Sequence, residues 1–232
     1  MSLNSTADID RDGYQILQEP LSRDLLVQLE AVLNSAGEES FRQRRSGTRY
    51  AIRNAHLVLP GLRSLLAAGA LRELACDALG QSATLVSATL FDKRPGANWF
   101  VPPHQDLQVP INGQSTDPEW TNWSVKAGQQ YVEPPLEVFQ QMLAVRVHLD
   151  ECPGENGALE VVPRSHQRRL TEEEVALLSE SEFQLCPVEA GEILFMNPLL
   201  VHRSRSSQLP LRRRVLHVVY SAARLPEGLA WT

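Results

Sequence analysis

The stretch Ala190–Ser221, AGEILFMNPLLVHRSRSSQLPLRRRVLHVVYS, sets two apolar runs on either side of a polar, proline-containing connection. A glycine turn at Gly191 leads into a strand over Glu192–Met196. Pro198–His202 follows as a short extended piece that ends on an imidazole. Val215–Ser221 reads as another strand. Side chains of extended chain alternate, so Arg213, Val215, His217 and Val219 share one face, while Arg212, Arg214, Leu216 and Val218 share the other.

Similar short runs, broken by turn residues, lie over Thr84–Phe91, Met142–Leu149, Ala158–Val162 and Phe183–Val188. This pattern points to a mainly β chain, a sandwich or jelly roll rather than an α/β sheet. Ahead of it, Leu25, Leu26, Leu29, Val32 and Leu33 line one helical face, with Ser22 as N-cap and Gly37 as stop. Leu62–Leu79 reads as a second amphipathic helix closed by Gly80. Thr171-x-x-Glu174 is a capping box that starts a short surface helix. Residues 1–13 are polar and read as loosely held. The segment 107–140 is too long for a simple turn and reads as a lid-like insert. No internal repeat or domain boundary is visible, so residues 1–232 are expected to form one domain. Its parts are N-terminal helices at about 14–80 and a β core at about 83–221.

With 43% hydrophobic and 22% charged residues, the chain has the composition of a folded globular protein. Its net charge of −6 argues against a general nucleic-acid binder. Cys76, Cys152 and Cys186 are an odd, scattered set that fits neither a disulfide framework nor a zinc pattern. The opening MSLNSTADIDRDGY lacks the basic start and apolar core of a signal peptide, and no apolar run is long enough to span a membrane. A cytoplasmic protein, monomer or homodimer, with neither membrane nor nucleic acid as partner is the expectation.

The chemistry concentrates around His104-Gln105-Asp106 in the loop NWFVPPHQDL. Two ligands separated by one residue lie on the same side of extended chain. A third, His202, can arrive from another strand and complete one triangular face of an octahedron. That is the facial triad of non-haem Fe(II) oxygenases, although manganese, cobalt or zinc also suits such a mixed N/O set. Pro102 and Pro103 stiffen the approach to the pair. The Arg213 guanidinium could hold a dicarboxylate through a two-pronged bond, with Ser204 adding a hydroxyl. The bland alternative is that Arg212, Arg213 and Arg214 form a solvated basic cluster.

Arg146 and His148 alternate with Val145, Val147 and Leu149, so one face of that strand is polar. Arg146 is therefore a candidate for meeting an anionic substrate, with an internal salt bridge as its plainer reading. In the long insert, Trp120, Trp123 and Lys126 could form a lid over a substrate, or simply pack and solvate. The five arginines of FRQRRSGTRYAIRN, residues 41–54, read as a solvated loop or as a basic rim facing substrate.

Four pieces in this order, FDKRPGANWFVPPHQD, VRVHLDECPGENGALEVVPRSH, AGEILFMNPLLVHRS and RRRVLHVVYS, resemble the phytanoyl-CoA dioxygenase-like family of Fe(II)/2-oxoglutarate-dependent oxygenases. The match runs from about Ala83 to Ser221, and NGALEVVPRSH is its most family-specific block. The resemblance implies a double-stranded β-helix (a cupin-like jelly roll) with flanking N-terminal helices, and iron held by His104, Asp106 and His202. It further implies that Arg213 pairs with the distal carboxylate of 2-oxoglutarate, that Ser204 supplies a hydroxyl to it, and that Lys93 lines the same pocket. The implied activity is that of a dioxygenase using O2 to hydroxylate a small organic molecule, with release of succinate and CO2. Residues 107–140 have no counterpart in the CoA-ester hydroxylase that named the family, so phytanoyl-CoA itself is a poor expectation. Asp106 stands where halogenating relatives carry a small residue, which argues against halogenation. Two other classes compete: a non-catalytic jelly roll that binds a metal and a ligand as a sensor, and a cupin-like metal hydrolase or isomerase.

Overall fold

A computed structural model describes residues 7–40, 42–43, 49–95, 98–126 and 128–232. The polar segment 1–6, Arg44 and Arg45, and the side chains of Arg42 and Arg49 lie outside what is described. The chain is mainly β, with antiparallel pairing throughout its strands.

The largest sheet has seven strands, in the order β1 (Tyr14–Leu17), β12 (Ile193–Met196), β9 (Met142–His148), β14 (Arg213–Ser221), β4 (Thr84–Lys93), β3 (Arg49–Ile52) and β2 (Arg42–Gln43). A second sheet runs β11 (Gln184–Cys186), β10 (Leu159–Val161), β13 (His202–Ser204) and β5 (Val101–His104). The third is ordered β15 (Leu229–Trp231), β6 (Val109–Gly113), β8 (Gln129–Glu133) and β7 (Thr121–Lys126). The jelly-roll layering is open at the sheet edges rather than closed into a continuous barrel.

The helices are α1 (Ala7–Asp12), α2 (Arg23–Asn34), α3 (Ala55–Val58), α4 (Leu62–Ala68), α5 (Ala70–Leu79), α6 (Leu136–Phe139) and α7 (Glu172–Ala176). Among the described residues, no helix is long and apolar enough to cross a membrane.

Both faces of the large sheet are buried, and strand alternation decides which core each residue joins. Leu143, Val145 and Val147 of β9 and Leu216, Val218 and Tyr220 of β14 pack under the helices, against Leu29, Leu62, Leu66, Leu71 and Leu74. Met142, Ala144 and Val219 turn the other way, into a second core with Val109, Ile111, Val132 and Leu159. The polar face of β9 and β14 thus looks between the sheets.

The sequence expectations need five corrections, the first being that residues 14–80, expected as helices, also supply β1, β2 and β3 to the large sheet. Residues 7–12 are helical, and the segment after them is tied down: β1 pairs with β12, and Asn197 N donates to Gly13 O at 2.9 Å. Helix α2 starts at the expected cap, with Ser22 Oγ accepting from Leu25 N at 3.3 Å. It ends at Ser35 rather than Gly37, because the Ser35 hydroxyl donates back to Val32 O at 2.7 Å. The helix expected over Leu62–Leu79 is two, broken at Gly69. The backbone there is extended (φ −102°, ψ −172°), and a Cβ would lie 2.5 Å from Leu65 O. Finally, 107–140 is not an irregular loop but three strands, with β6 and β7 both paired to β8, and a short helix. Trp120, Val132 and Phe139 are fixed in the second core, so burial of this segment's apolar side chains outweighs its loop-like composition. The capping box at α7 is present, with Thr171 Oγ1 accepting from Glu174 N at 3.1 Å.

Candidate active site

Strand β5 ends on His104 and pairs with β13, where His202 stands directly opposite it. The ladder therefore sets the two imidazoles side by side, with ring centroids 4.3 Å apart. Asp106, just beyond β5, is fixed by its backbone N–H, which donates to Pro198 O at 2.8 Å. Its carboxylate lies 3.6 Å from His104 Nε2 and 3.7 Å from His202 Nε2. One donor atom from each of His104, Asp106 and His202 falls within 4.8 Å of the others.

The tautomers suit a cation. His104 Nδ1 donates to Pro102 O at 2.8 Å, and His202 Nδ1 donates to Leu200 O at 2.9 Å. Each contact places the proton on Nδ1 and leaves the Nε2 lone pair facing Asp106. Gln105 points the opposite way, as period two requires. Its Nε2 donates to Leu199 O at 2.5 Å and Arg168 O at 2.9 Å, and its Oε1 accepts from Leu170 N at 2.8 Å. That clamp holds the segment between the two ligands against the 165–170 loop.

Burial opposes ionisation of Asp106, but the surrounding His202, His104 and His217 prevail and hold its carboxyl far below the usual range. Burial pushes His202 down to about 4, with Asp106 working the other way. For His104, Asp106 outweighs burial and raises the pKa.

Arg213 and Lys93 face each other in register on β14 and β4. Ser204 Oγ accepts from Lys93 Nζ at 3.0 Å and from Arg213 Nη2 at 3.1 Å, and donates to Gly157 O at 3.0 Å. All three side chains are buried and line one cavity of about 350 Å³ together with the triad. Gly157, at φ +71°, makes room for this cluster: a Cβ there would press on Arg205 O and sit 3.3 Å from Arg213 Nη1. Arg212 and Arg214 point to the far face. Arg212 forks onto Asp92 at 2.8 and 3.0 Å, and Arg214 binds Asp150 at 2.6 Å and Glu30 at 2.8 Å.

Arg146 also lines the cavity, whereas Trp123 and Lys126 do not. Trp123 packs against the second core and donates Nε1–H to Trp120 O at 2.9 Å. Lys126 is exposed, bonded to Gln108 and lying over the Tyr131 ring at 5.1 Å. Both sit on β7, the edge strand of the third sheet, while Val109 and Pro110 of β6 and Tyr131 of β8 line the cavity. Of the five arginines at 42–53, Arg53 reaches the cavity wall.

The cavity holds residues that sequence reasoning did not single out. His217 Nε2 lies 3.8 Å from Asp106 Oδ2, and His217 Nδ1 accepts from Arg146 Nη1 at 3.0 Å. Its place on the Arg213 face of β14 was the signal available. Burial, then Arg146, push its pKa down to about 3, so it stands neutral. Tyr50 and Trp99 form an edge-to-face pair on the wall, centroids 5.2 Å apart. Asn54, at φ +50°, donates to Tyr131 Oη at 2.9 Å.

A family model described as phytanoyl-CoA dioxygenase (PhyH) matches residues 9–215. A methylphosphonate hydroxylase of Gimesia maris is 25% identical over 195 residues, 81% of this chain and 64% of that protein. The aligned part of the chain thus spans less than two thirds of that relative's length. Among solved structures, AviO1 from Streptomyces viridochromogenes Tue57 superposes with a TM-score of 0.70 at 20% identity, covering 96% of both chains. EctD from S. alaskensis gives 0.71 at 21% identity, over 98% of this chain and 80% of that one. SnoK, a non-heme alpha ketoglutarate dependent carbocyclase from nogalamycin biosynthesis, gives 0.69 at 19%, over 96% and 85%. At these identities the structural likeness establishes a shared fold. EctD has also been crystallised with Fe, and with 2-oxoglutarate and 5-hydroxyectoine.

Proposed function

The chain belongs to the phytanoyl-CoA dioxygenase family, and from that premise we propose that it is an Fe(II)- and 2-oxoglutarate-dependent dioxygenase that hydroxylates a small organic molecule, releasing succinate and CO2. The observation that carries this reading is one cavity with a three-donor cluster and, on the same wall, a buried cationic group able to take a carboxylate. Two Nε2 lone pairs and a carboxylate kept ionised fit a divalent cation. Fe(II), with 2-oxoglutarate and O2, would supply the oxidising power to break an unactivated C–H bond.

This chain's residues would do the rest. His104, Asp106 and His202 would hold the metal, their orientation set by the Pro102 and Leu200 carbonyls. Arg213, helped by Lys93 and the Ser204 hydroxyl, would grip the distal carboxylate of 2-oxoglutarate through charge-assisted hydrogen bonds. The apolar wall of Val215, Val219 and Leu159 would limit water at the reacting carbon. A hydrolase or isomerase on this fold has no need of a buried dicarboxylate seat, and a sensor has no need of turnover. The hydroxylase named among the relatives also favours hydroxylation. We read the whole chain as one such domain.

The test combines metal uptake with succinate formation in the presence of Fe(II), 2-oxoglutarate, O2 and a panel of small organic substrates. His104→Ala and Asp106→Ala should each lose tight metal binding and succinate release together. Unchanged succinate formation in either variant would sink the assignment.

A further inference from the structure

Arg146 is 9% exposed and lines the cavity from the inner face of β9. Among the described residues, its Nη1 donates to the neutral His217 Nδ1 at 3.0 Å, and its Nε has no hydrogen-bond partner. Three nearby arginines have anions, and Arg53, on the same wall, is exposed to solvent. Arg203 holds Glu160 and Glu180, each at 2.6 Å, while Arg212 and Arg214 hold Asp92 and Asp150. Arg213 has the proposed distal carboxylate of 2-oxoglutarate.

For Arg146 the cavity wall offers only Asp106, its one carboxylate among the described residues, and Asp106 is committed to the metal site. A divalent metal and a dianionic cosubstrate bring equal and opposite charge, so loading the site does not compensate Arg146. A buried guanidinium without an anion is costly, and burial, then the nearby cationic Arg213, push it down to about 10.

We propose that Arg146, with His217 beside it, is the seat for a compact oxyanion carried by the substrate, of the size of a phosphonate or carboxylate. This rests on the oxygenase reading for the metal and cosubstrate. The seat is one side chain from the triad, since His217 bridges Arg146 to Asp106 at 3.0 and 3.8 Å. An oxyanion held there brings the carbon attached to it beside the metal, so the substrate class is a small organic acid oxidised close to its acidic group. The Nη1 contact fixes His217 with its proton on Nε2, which keeps the imidazole N–H directed at Asp106.

The second source of an oxyanion is 2-oxoglutarate itself, through its proximal carboxylate, and the experiment separates the two. Full-length protein loaded with Mn(II) and 2-oxoglutarate under nitrogen is titrated calorimetrically with methylphosphonate, inorganic phosphate and acetate. The wild type should bind at least one of them saturably. Arg146→Gln should weaken that binding at least tenfold, Arg146→Lys should recover part of it, and 2-oxoglutarate affinity should stay within threefold in both.

Equal oxyanion affinity in Arg146→Gln, or no oxyanion binding by the wild type, overturns the proposal. So does a tenfold loss of 2-oxoglutarate affinity in Arg146→Gln, which would give the guanidinium to the cosubstrate. Failure of the oxygenase reading looks different: the wild type would take up neither Mn(II) nor 2-oxoglutarate, while Arg146-dependent oxyanion binding persisted.

Discussion

Gln105 separates the two donors of its motif and supports both from the opposite face. Its amide satisfies the Leu199 and Arg168 carbonyls and the Leu170 N–H. Gln105→Leu strands those groups, so it should destabilise the fold by about 2–4 kcal/mol and weaken metal binding. Urea denaturation and a metal titration check this, and an unaltered midpoint would contradict the role. At this scale much of the site was legible in the sequence, because parity along a strand is rigid. Arg213 faces inward and Arg212 and Arg214 outward, as alternation demands. His217 shares the Arg213 face, yet a lone imidazole on an apolar strand carries no sign of what stands opposite it. Arg146 was legible as polar, but its lack of an anion is a property of the cavity as a whole.

Elements are where composition misled. In the stretch LRSLLAAGALRELACDAL, helical periodicity continues straight across Gly69, and only the approach of Leu65 O shows why the chain must break there. The sheet of β6, β7 and β8 hides among Pro, Gly and Trp because its burial comes from the second core and from β15, far along the chain. Gly157 is the converse case, a glycine whose reason is local and visible. Its positive φ and the nearness of Arg205 O and Arg213 Nη1 leave no place for a side chain. Gly157→Ala should cost about 1–3 kcal/mol of stability and displace Arg213, weakening 2-oxoglutarate binding. Thermal melting and a cosubstrate titration provide the check. A variant as stable as the wild type would show that the backbone relaxes freely there.

Across the whole molecule, folding buries imidazoles in neutral form. His56 accepts a hydrogen bond from Ala88 N at 3.2 Å, and burial, then Arg63, push its pKa down to about 4. Burial, Arg146 and Arg213 push His148 down to about 3. Both ordinarily titrate near 6.5 in an unfolded chain. Between the folded and unfolded values the unfolded state binds more protons, so stability falls as pH drops from about 6.5 towards 4 and is flat with respect to these groups above it. The urea midpoint of the metal-free protein should therefore decline over that window. A midpoint that rises on acidification would contradict the buried, neutral assignment. The jelly-roll class was legible from the many short strands, whereas the packing of helices on one face of the large sheet and the cavity on the other depends on pairings too distant to read from local pattern.

The most direct measurement is an anaerobic titration of the Fe(II)-loaded protein with 2-oxoglutarate, following the weak visible charge-transfer band of the chelate. A saturable band is predicted. It should require roughly 10- to 100-fold more 2-oxoglutarate in Arg213→Ala, because a charge-assisted contact is lost. In Arg212→Ala it should be unchanged. No band with iron demonstrably bound, or an equal response in the two variants, would contradict the account.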